Sequence, residues 1–482
     1  MSAAPATTRN PIDRFFQISE RGSTIGTEIR GGLVTFFAMA YIVVLNPLIL
    51  GTTPDGTGQL LGGGSAGDAP NLAMIASATA LIAGVLSILL GVIANFPMAM
   101  AAGLGLNAVV AFSIAGIEGV TWADAMGVVV IEGVIILILV LTGFRAAVFK
   151  AVPTALKTAI GVGIGLFITL IGLGNAGFIT GDGATILALG NLGTFPILVF
   201  VVGLVLTIVL HVRRVRGALL ISILVATVLA VVIENTLHLG ARSADNPGGF
   251  NSPPAFTGVF AMPDFSLIGQ FNLLGSVQNI GAVTLILLVF SLLLADFFDT
   301  MGTMVAVGGE AHLLDAEGNP PRANRILLVD SLGAIFGGMG SVSSNTAFVE
   351  STSGVAEGAR TGLASIVTGV AFLLATLFAP LVALVPYEAA APALVLVGFL
   401  MMTQISGIDW KNVDVGIPAF LTIAVMPFTY SISDGIGAGF VAFVIVKIAR
   451  GKAREVHWLM WLVSALFVVY FLVEPIRAWI GA

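Results

Sequence analysis

The feature that most constrains this chain is a succession of apolar windows separated by short polar segments. They fall at about 31–50, 71–94, 97–116, 122–142, 155–174, 194–211, 217–236 and 279–305. Further windows fall at about 326–340, 345–358, 362–385, 390–406, 415–430, 432–449 and 457–476. A bilayer core takes roughly 20 apolar residues per helix. Backbone polar groups inside lipid have to be satisfied within the segment, which leaves helices or closed barrels. Windows of this length and number predict an all-α polytopic membrane protein. Composition agrees. Of 482 residues, 57% are hydrophobic and 10% charged, with a mean hydropathy of +1.06, whereas soluble domains average about 25% charged residues.

Basic residues set the orientation, because Lys and Arg stay on the cytoplasmic side. With the N-terminus inside and fourteen windows across the bilayer, the inner side receives 18 of the 20 Lys and Arg. Arg9, Arg21, Arg145, Lys150, Lys157, Arg322, Lys411 and Lys452 are among them; Arg242 falls outside and Arg477 is undecided. The outer loop at 237–278 separates two sets of seven windows, 31–236 and 279–450. An odd number of spans per half reverses the orientation of the second half, which is the arithmetic of an inverted repeat. Residues 1–30 form a cytoplasmic N-terminal segment. Residues 451–482 form a C-terminal segment whose window at 457–476 either spans the bilayer or lies against the bundle. The first apolar run has no cleavage-site pattern and reads as a mature span.

Several functions are excluded early. The chain has no Cys and four scattered His, so no thiolate chemistry and no metal-ligand spacing is expected. A net charge of −6 argues against a nucleic-acid partner. No Walker A string is present, which argues against an ATP-driven pump. No cofactor is expected.

Carboxylates and irregular backbone at membrane depth are costly and mark functional positions. Three segments stand out. In SLLLADFFDTMGTMVAVGGE (291–310), Asp296 and Asp299 lie three apart and share a helix face. In GGMGSVSSNTAFVESTSGVAEGARTG (337–362), a small, hydroxyl-rich stretch precedes Glu350. In NFPMAMAAGLGLNAVVAF (95–112), GLGLN at 103–107 interrupts a span and ends in Asn107. The last two interruptions fall in the third window of each half, and paired broken spans point to a binding site near the midplane. Other acids receive plainer expectations. Glu132 pairs with Lys157 or a hydroxyl, Asp330 caps a helix start, and Asp434 sits at a turn. Glu234, Glu388 and Glu474 are expected to be hydrated near window ends.

At these residues the sequence resembles a nucleobase permease of the nucleobase–cation symporter-2 group, in its adenine/guanine/hypoxanthine branch. The resemblance rests on GGLVTFFAMAYIVVLNPLIL (31–50), MAAGLGLNAVVAF (100–112) and LKTAIGVGIGLFITLIGL (156–173). It continues with ADFFDTMGTMVAVG (295–308), FVESTSGVAEGARTGL (348–363) and MPFTYSISDGIGAGF (426–440). It implies fourteen spans as a 7+7 inverted repeat. A core would hold spans 1–4 and 8–11, and a gate would hold spans 5–7 and 12–14. Short antiparallel strands would open spans 3 and 10, within GLGLN and SVSSNTAF. It also implies a homodimer in the cell (plasma) membrane, an elevator motion of core against gate, and uptake coupled to protons. Glu350 and Asp296 would contact the base, with Asn107 and Asp299 close by.

The chemistry of such a site follows. A purine is flat, neutral and rich in donors and acceptors. An ionised Glu350 accepts two N–H bonds along one edge, and charge-assisted bonds are roughly twice as strong as neutral ones. Backbone N–H groups of 346–348 and 104–107, Ala347 and Gly105 among them, are the expected partners of a ring carbonyl. Phe112, Phe297 or Phe348 is placed to stack. Asp296 and Asp299 are like charges one turn apart in a poorly hydrated place, so one of them is the expected proton carrier. Alternatives in the same class are a uracil or xanthine permease and a passive nucleobase channel. An intramembrane aspartyl protease needs its two acids on facing helices, whereas these share one, so an enzyme is not expected.

Overall fold

The computed structural model describes residues 10–142, 152–181, 185–243, 245–315 and 319–480. Arg9, Arg145 and Lys150 lie outside the described residues, as do the side chains of Glu474 and Arg477. In chain order, α1 (Pro11–Phe16) starts on an Asn10 cap. It is followed by α2 (Ile25–Met39) and α3 (Ile42–Gly51). Pro47 inside α3 withdraws the hydrogen bond to residue 43, close to the break between the two. Next come α4 (Leu72–Ala94), β1 (Met100–Ala102) and α5 (Leu104–Ala108), which continues as a π-turn over Val109–Ile114. The first half closes with α6 (Trp122–Thr142), α7 (Thr154–Asn175), the hairpin β2 (Ile179–Thr180) and β3 (Ala188–Leu189), α8 (Phe195–Val212) and α9 (Ala218–Leu237).

After the outer loop come α10 (Leu273–Ile280), α11 (Ala282–Glu310), α12 (Ala323–Met339), β4 (Asn345–Ala347) and α13 (Ser351–Ala356). The chain ends with α14 (Gly362–Ala375), α15 (Tyr387–Met402), α16 (Val413–Thr429), α17 (Ile432–Ala449) and α18 (Trp458–Ile480). Among the described residues, ten segments are long and apolar enough to cross a membrane. The stretches Leu104–Ile114, Val413–Thr429 and Trp458–Leu472 are shorter apolar helices.

The helices pack in two groups. In one, α14 lies on α4 and α2, α13 on α2, and α12 on α6 and α4, with α11 against α6. In the other, α15 and α16 lie on α7, α8 packs on α9 and α15, and α16 packs on α17. Lipid tails give helices no hydrophobic reason to associate, so close approach depends on small residues. The α4–α14 crossing is built that way. A Cβ on Gly84 would stand 2.9 Å from the carbonyl of Gly369, and one on Gly91 would meet the carbonyl of Gly362. Two glycine pairs seven residues apart thus bring these backbones into contact. The outer faces of α8 and α9 carry exposed Leu198, Val205, Leu224 and Val228, the surface a bilayer would cover.

The structure changes some expectations. The first strand precedes GLGLN instead of lying within it. Gly103 is the N-cap of α5, and residues 104–107 are already helical. Asp330 is in the interior of α12, not at its start, because that helix begins seven residues earlier at Ala323. Glu388 is fully buried instead of hydrated. The outer loop folds over it, and the Asn251 N–H donates to its carboxylate at 2.8 Å. Glu234 accepts from the N–H groups of Leu239 and Gly240, closing the end of α9.

Candidate functional site

The site is organised by two strands that meet at the middle of the first helix group. β1 and β4 are antiparallel, with Met100 opposite Ala347, Ala101 opposite Thr346 and Ala102 opposite Asn345. The pairing continues through Phe348 N–H to the Ala99 carbonyl at 3.0 Å and Gly103 N–H to the Ser344 carbonyl at 3.1 Å. All six strand residues are buried. Each strand uses its partner to satisfy backbone groups that a broken helix leaves open, which lets irregular chain exist at this depth. Ser341 and Ser343, in the left-handed region at φ 56° and 68°, turn the chain from α12 into β4.

Two of the expected residues follow directly from this crossing. Glu350 stands at the N-cap of α13, and Asn107 lies in α5. The Asn107 amide donates to the Asn46 side-chain oxygen at 2.6 Å, and Asn46 in turn donates to Thr79 Oγ1 at 2.8 Å. This holds the Asn107 side chain by its nitrogen and leaves its buried oxygen Oδ1 without a hydrogen-bond partner. The half-buried Glu350 accepts from the Tyr41 hydroxyl. The Tyr41 ring lies 6.4 Å from that of Phe348. Tyr41 sits at the α2–α3 break, so the kink that Pro47 favours also places this donor.

The two aspartates of α11 have different surroundings. Asp299 is exposed, with Glu350 and the Thr346 hydroxyl nearby. Asp296 is fully buried and neither of its oxygens has a hydrogen-bond partner. Its charged neighbours are Asp330, Glu132 and Asp299. Three residues along a helix rotate about 300°, and the remaining offset accompanies a change from the buried Asp296 to the exposed Asp299. Glu132 is buried without a hydrogen-bond partner on either oxygen, instead of bonding a hydroxyl.

The remaining residues divide by location. Ala347 is inside the strand pair, and its N–H points to the Thr300 hydroxyl at 3.4 Å. Gly105 faces the second helix group, where a Cβ would come 2.8 Å from Ile164 of α7. Phe112 belongs to an aromatic cluster with Phe167 of α7 and Tyr430 beyond α16, with centroid distances of 6.1 and 5.8 Å. Phe348 and Phe297 are buried. Sequence reasoning missed Tyr41, Asn46 and Thr79. The available signal was their polar character inside otherwise apolar windows.

Comparison with solved structures identifies the fold. The transmembrane domain of a cyanobacterial bicarbonate transporter superposes with a TM-score of 0.55 at 16% identity, covering 85% of this chain and 97% of that one. The two chains thus share a fold. The sequence pattern described as "Permease family" matches residues 26–438, and the chain belongs to that family. A guanine/hypoxanthine permease of Bacillus subtilis is 39% identical over 464 residues, spanning 95% of this chain and 99% of its own length. An adenine permease of Escherichia coli is 37% identical over 460 residues, 95% of each chain. These relatives bear out the resemblance to the adenine/guanine/hypoxanthine branch.

Proposed function

We propose that this permease imports purine nucleobases, guanine, hypoxanthine or adenine, together with protons across the cell (plasma) membrane. The observation that carries this reading is the polar constellation at the strand crossing. Glu350 is an acceptor held in place by Tyr41, the Asn107 oxygen is unpartnered, and Asp299 is exposed beside them. Glu350 would accept N–H groups from one edge of the base, and the Asn107 oxygen would accept another. Phe348 would give the ring an apolar wall. Gly105 and Ala347 serve this site by allowing close packing of α5 and by fixing the strand pair. Asp299 would exchange the proton, with Asp296 behind it. The names of the relatives at 37–39% identity support the purine class.

The reading extends to motion. Fourteen spans would form a 7+7 inverted repeat with the N-terminus cytoplasmic. The helix group that contains the strands would be the core, and the group around α7, α8, α15 and α16 the gate. The core would carry the site past the gate as an elevator, because moving a polar site inside protein avoids exposing its acids to lipid. The gate group would also supply the homodimer contact.

Uptake assays in sealed vesicles test the proposal. Labelled hypoxanthine should be taken up, competed by guanine or adenine but not by uracil, and lost on adding a protonophore. Glu350→Gln, which turns an acceptor into a mixed donor and acceptor, should abolish uptake while the protein still inserts. Normal uptake by that variant would remove Glu350 from the site. Uptake that ignores the protonophore would replace symport by facilitated diffusion.

A further inference from the structure

Behind the strand pair lies a second cluster of acids that substrate contact does not account for. Glu132 of α6 and Asp296 of α11 are both fully buried, and none of their four carboxylate oxygens has a hydrogen-bond partner. Asp330 of α12, 2% exposed, accepts from the Thr300 hydroxyl at 2.5 Å. The α6 and α12 backbones touch beside them, since a Cβ on Gly133 would stand 2.6 Å from the Ile335 nitrogen. The charged groups that act on Glu132 and Asp296 are all acidic: Asp330 reaches both, and Asp299 also reaches Asp296. Asp124, the other acid of α6, is at its outer end, where Asn279 of α10 donates to it.

Neighbouring carboxylates buried together do not all ionise, because burial and like charge both favour the protonated form. Among the described residues, no group of three acids or histidines is arranged to hold a metal ion. The ligand that suits these oxygens is therefore a proton. A path for it is present. Thr300 Oγ1 lies 2.5 Å from Asp330 and 2.7 Å from Thr346 Oγ1. The Thr346 hydroxyl in turn lies beside both Asp296 and Asp299.

We propose that Glu132, Asp330 and Asp296 form a proton-binding site behind the substrate pocket, filled and emptied through Thr300, Thr346 and Asp299. A proton on Asp299 passes to Thr346 as that hydroxyl releases its own hydrogen to Thr300, whose hydrogen goes in turn to Asp330. Each hydroxyl keeps one hydrogen, and the net change is one proton moved from Asp299 to the cluster. Glu132 shares that proton with its neighbours and has no contact with substrate. This inference rests on the proton-coupled reading above.

The test uses the purified full-length chain. Infrared difference spectra between acid and alkaline pH should contain the carbonyl band of a protonated carboxylic acid. Glu132→Gln should remove or shift that band. Hypoxanthine affinity at acid pH should stay within about twofold, while the midpoint of its pH profile moves by about one unit or more. Thr300→Val keeps the shape and breaks the hydroxyl path. It should retain the band and slow proton flux into vesicles during uptake, and it serves as the second variant should Glu132→Gln fail to fold. A Glu132→Gln protein whose band and pH profile match the wild type overturns the cluster even if symport stands, and so does Thr300→Val with unaltered proton flux. A wild type whose uptake moves no protons instead removes the coupled reading, and this inference with it.

Discussion

Tyr41 shows how one residue can set the character of a binding group. Its buried hydroxyl donates to one oxygen of the half-buried Glu350, which fixes that side of the carboxylate and turns the other toward a ligand. Hydrogen bonds to charged groups contribute about 1.5–3 kcal/mol. Tyr41→Phe keeps the ring against Phe348 but removes this donor. We expect hypoxanthine binding to weaken by about tenfold or more, with thermal stability close to wild type, measured by equilibrium binding on purified protein. Unaltered affinity would mean that Glu350 needs no orienting partner. Asn46 has the same relation to Asn107. It takes the amide hydrogen and so presents the oxygen, which decides whether that position accepts or donates.

Among the elements, the strand pair depends on glycines in the helix behind it. Gly333 and Gly337 of α12 face β4 and the turn before it. A Cβ on Gly333 would press on the Asn345 carbonyl and stand 2.8 Å from Met100 Cε, touching both strands at once. A backbone carbonyl in a paired strand cannot move aside as the end of a flexible side chain can. Gly333→Ala should therefore cost about 1–3 kcal/mol by overpacking. It should also displace the Thr346–Ala347 stretch, seen as a lower melting temperature and a loss of substrate affinity. A melting temperature equal to wild type would show that α12 and β4 have slack the packing does not suggest. The same reasoning explains why α4 and α14 carry paired glycines, whereas exposed α8 carries bulky aliphatic residues on its outer face.

For the whole molecule, the proposed motion is tested at the boundary between the two helix groups. Gly105 of α5 and Ile164 of α7 meet across it, and Phe112, Phe167 and Tyr430 continue the contact. The residues named at this contact form no ion pair, but Arg216, between α8 and α9, pairs with Glu357, at the end of α13, across the same boundary, so sliding there has one charged contact to break. The chain has no native Cys, so a pair introduced at Gly105 and Ile164 would be its only thiols. Once crosslinked, this pair should stop hypoxanthine uptake and leave binding from one side intact. Reduction should restore uptake to the level of the uncrosslinked variant. Full uptake in a fully crosslinked protein would rule out sliding at this contact.

Much of this architecture was legible in the sequence because lipid enforces it. Apolar length fixes where helices run, and the windows at 71–94, 122–142 and 432–449 match α4, α6 and α17 within a residue or two. Acids and broken helix in an apolar window are costly, so Glu350, Asp296, Asp299 and Asn107 could be singled out before any coordinates. Their arrangement could not. The sequence placed Asp296 and Asp299 on one face, but the packing leaves Asp299 exposed and Asp296 sealed. It gave no sign that Tyr41 reaches Glu350 across 309 positions or that Thr300 reaches Asp330 across 30. It placed Glu388 in water, whereas a distant loop covers it. Hydropathy reports the exchange between one segment and its solvent, which is local. Which carboxylate is paired, sealed or open depends on chain segments far apart in sequence, and only their packing brings them together.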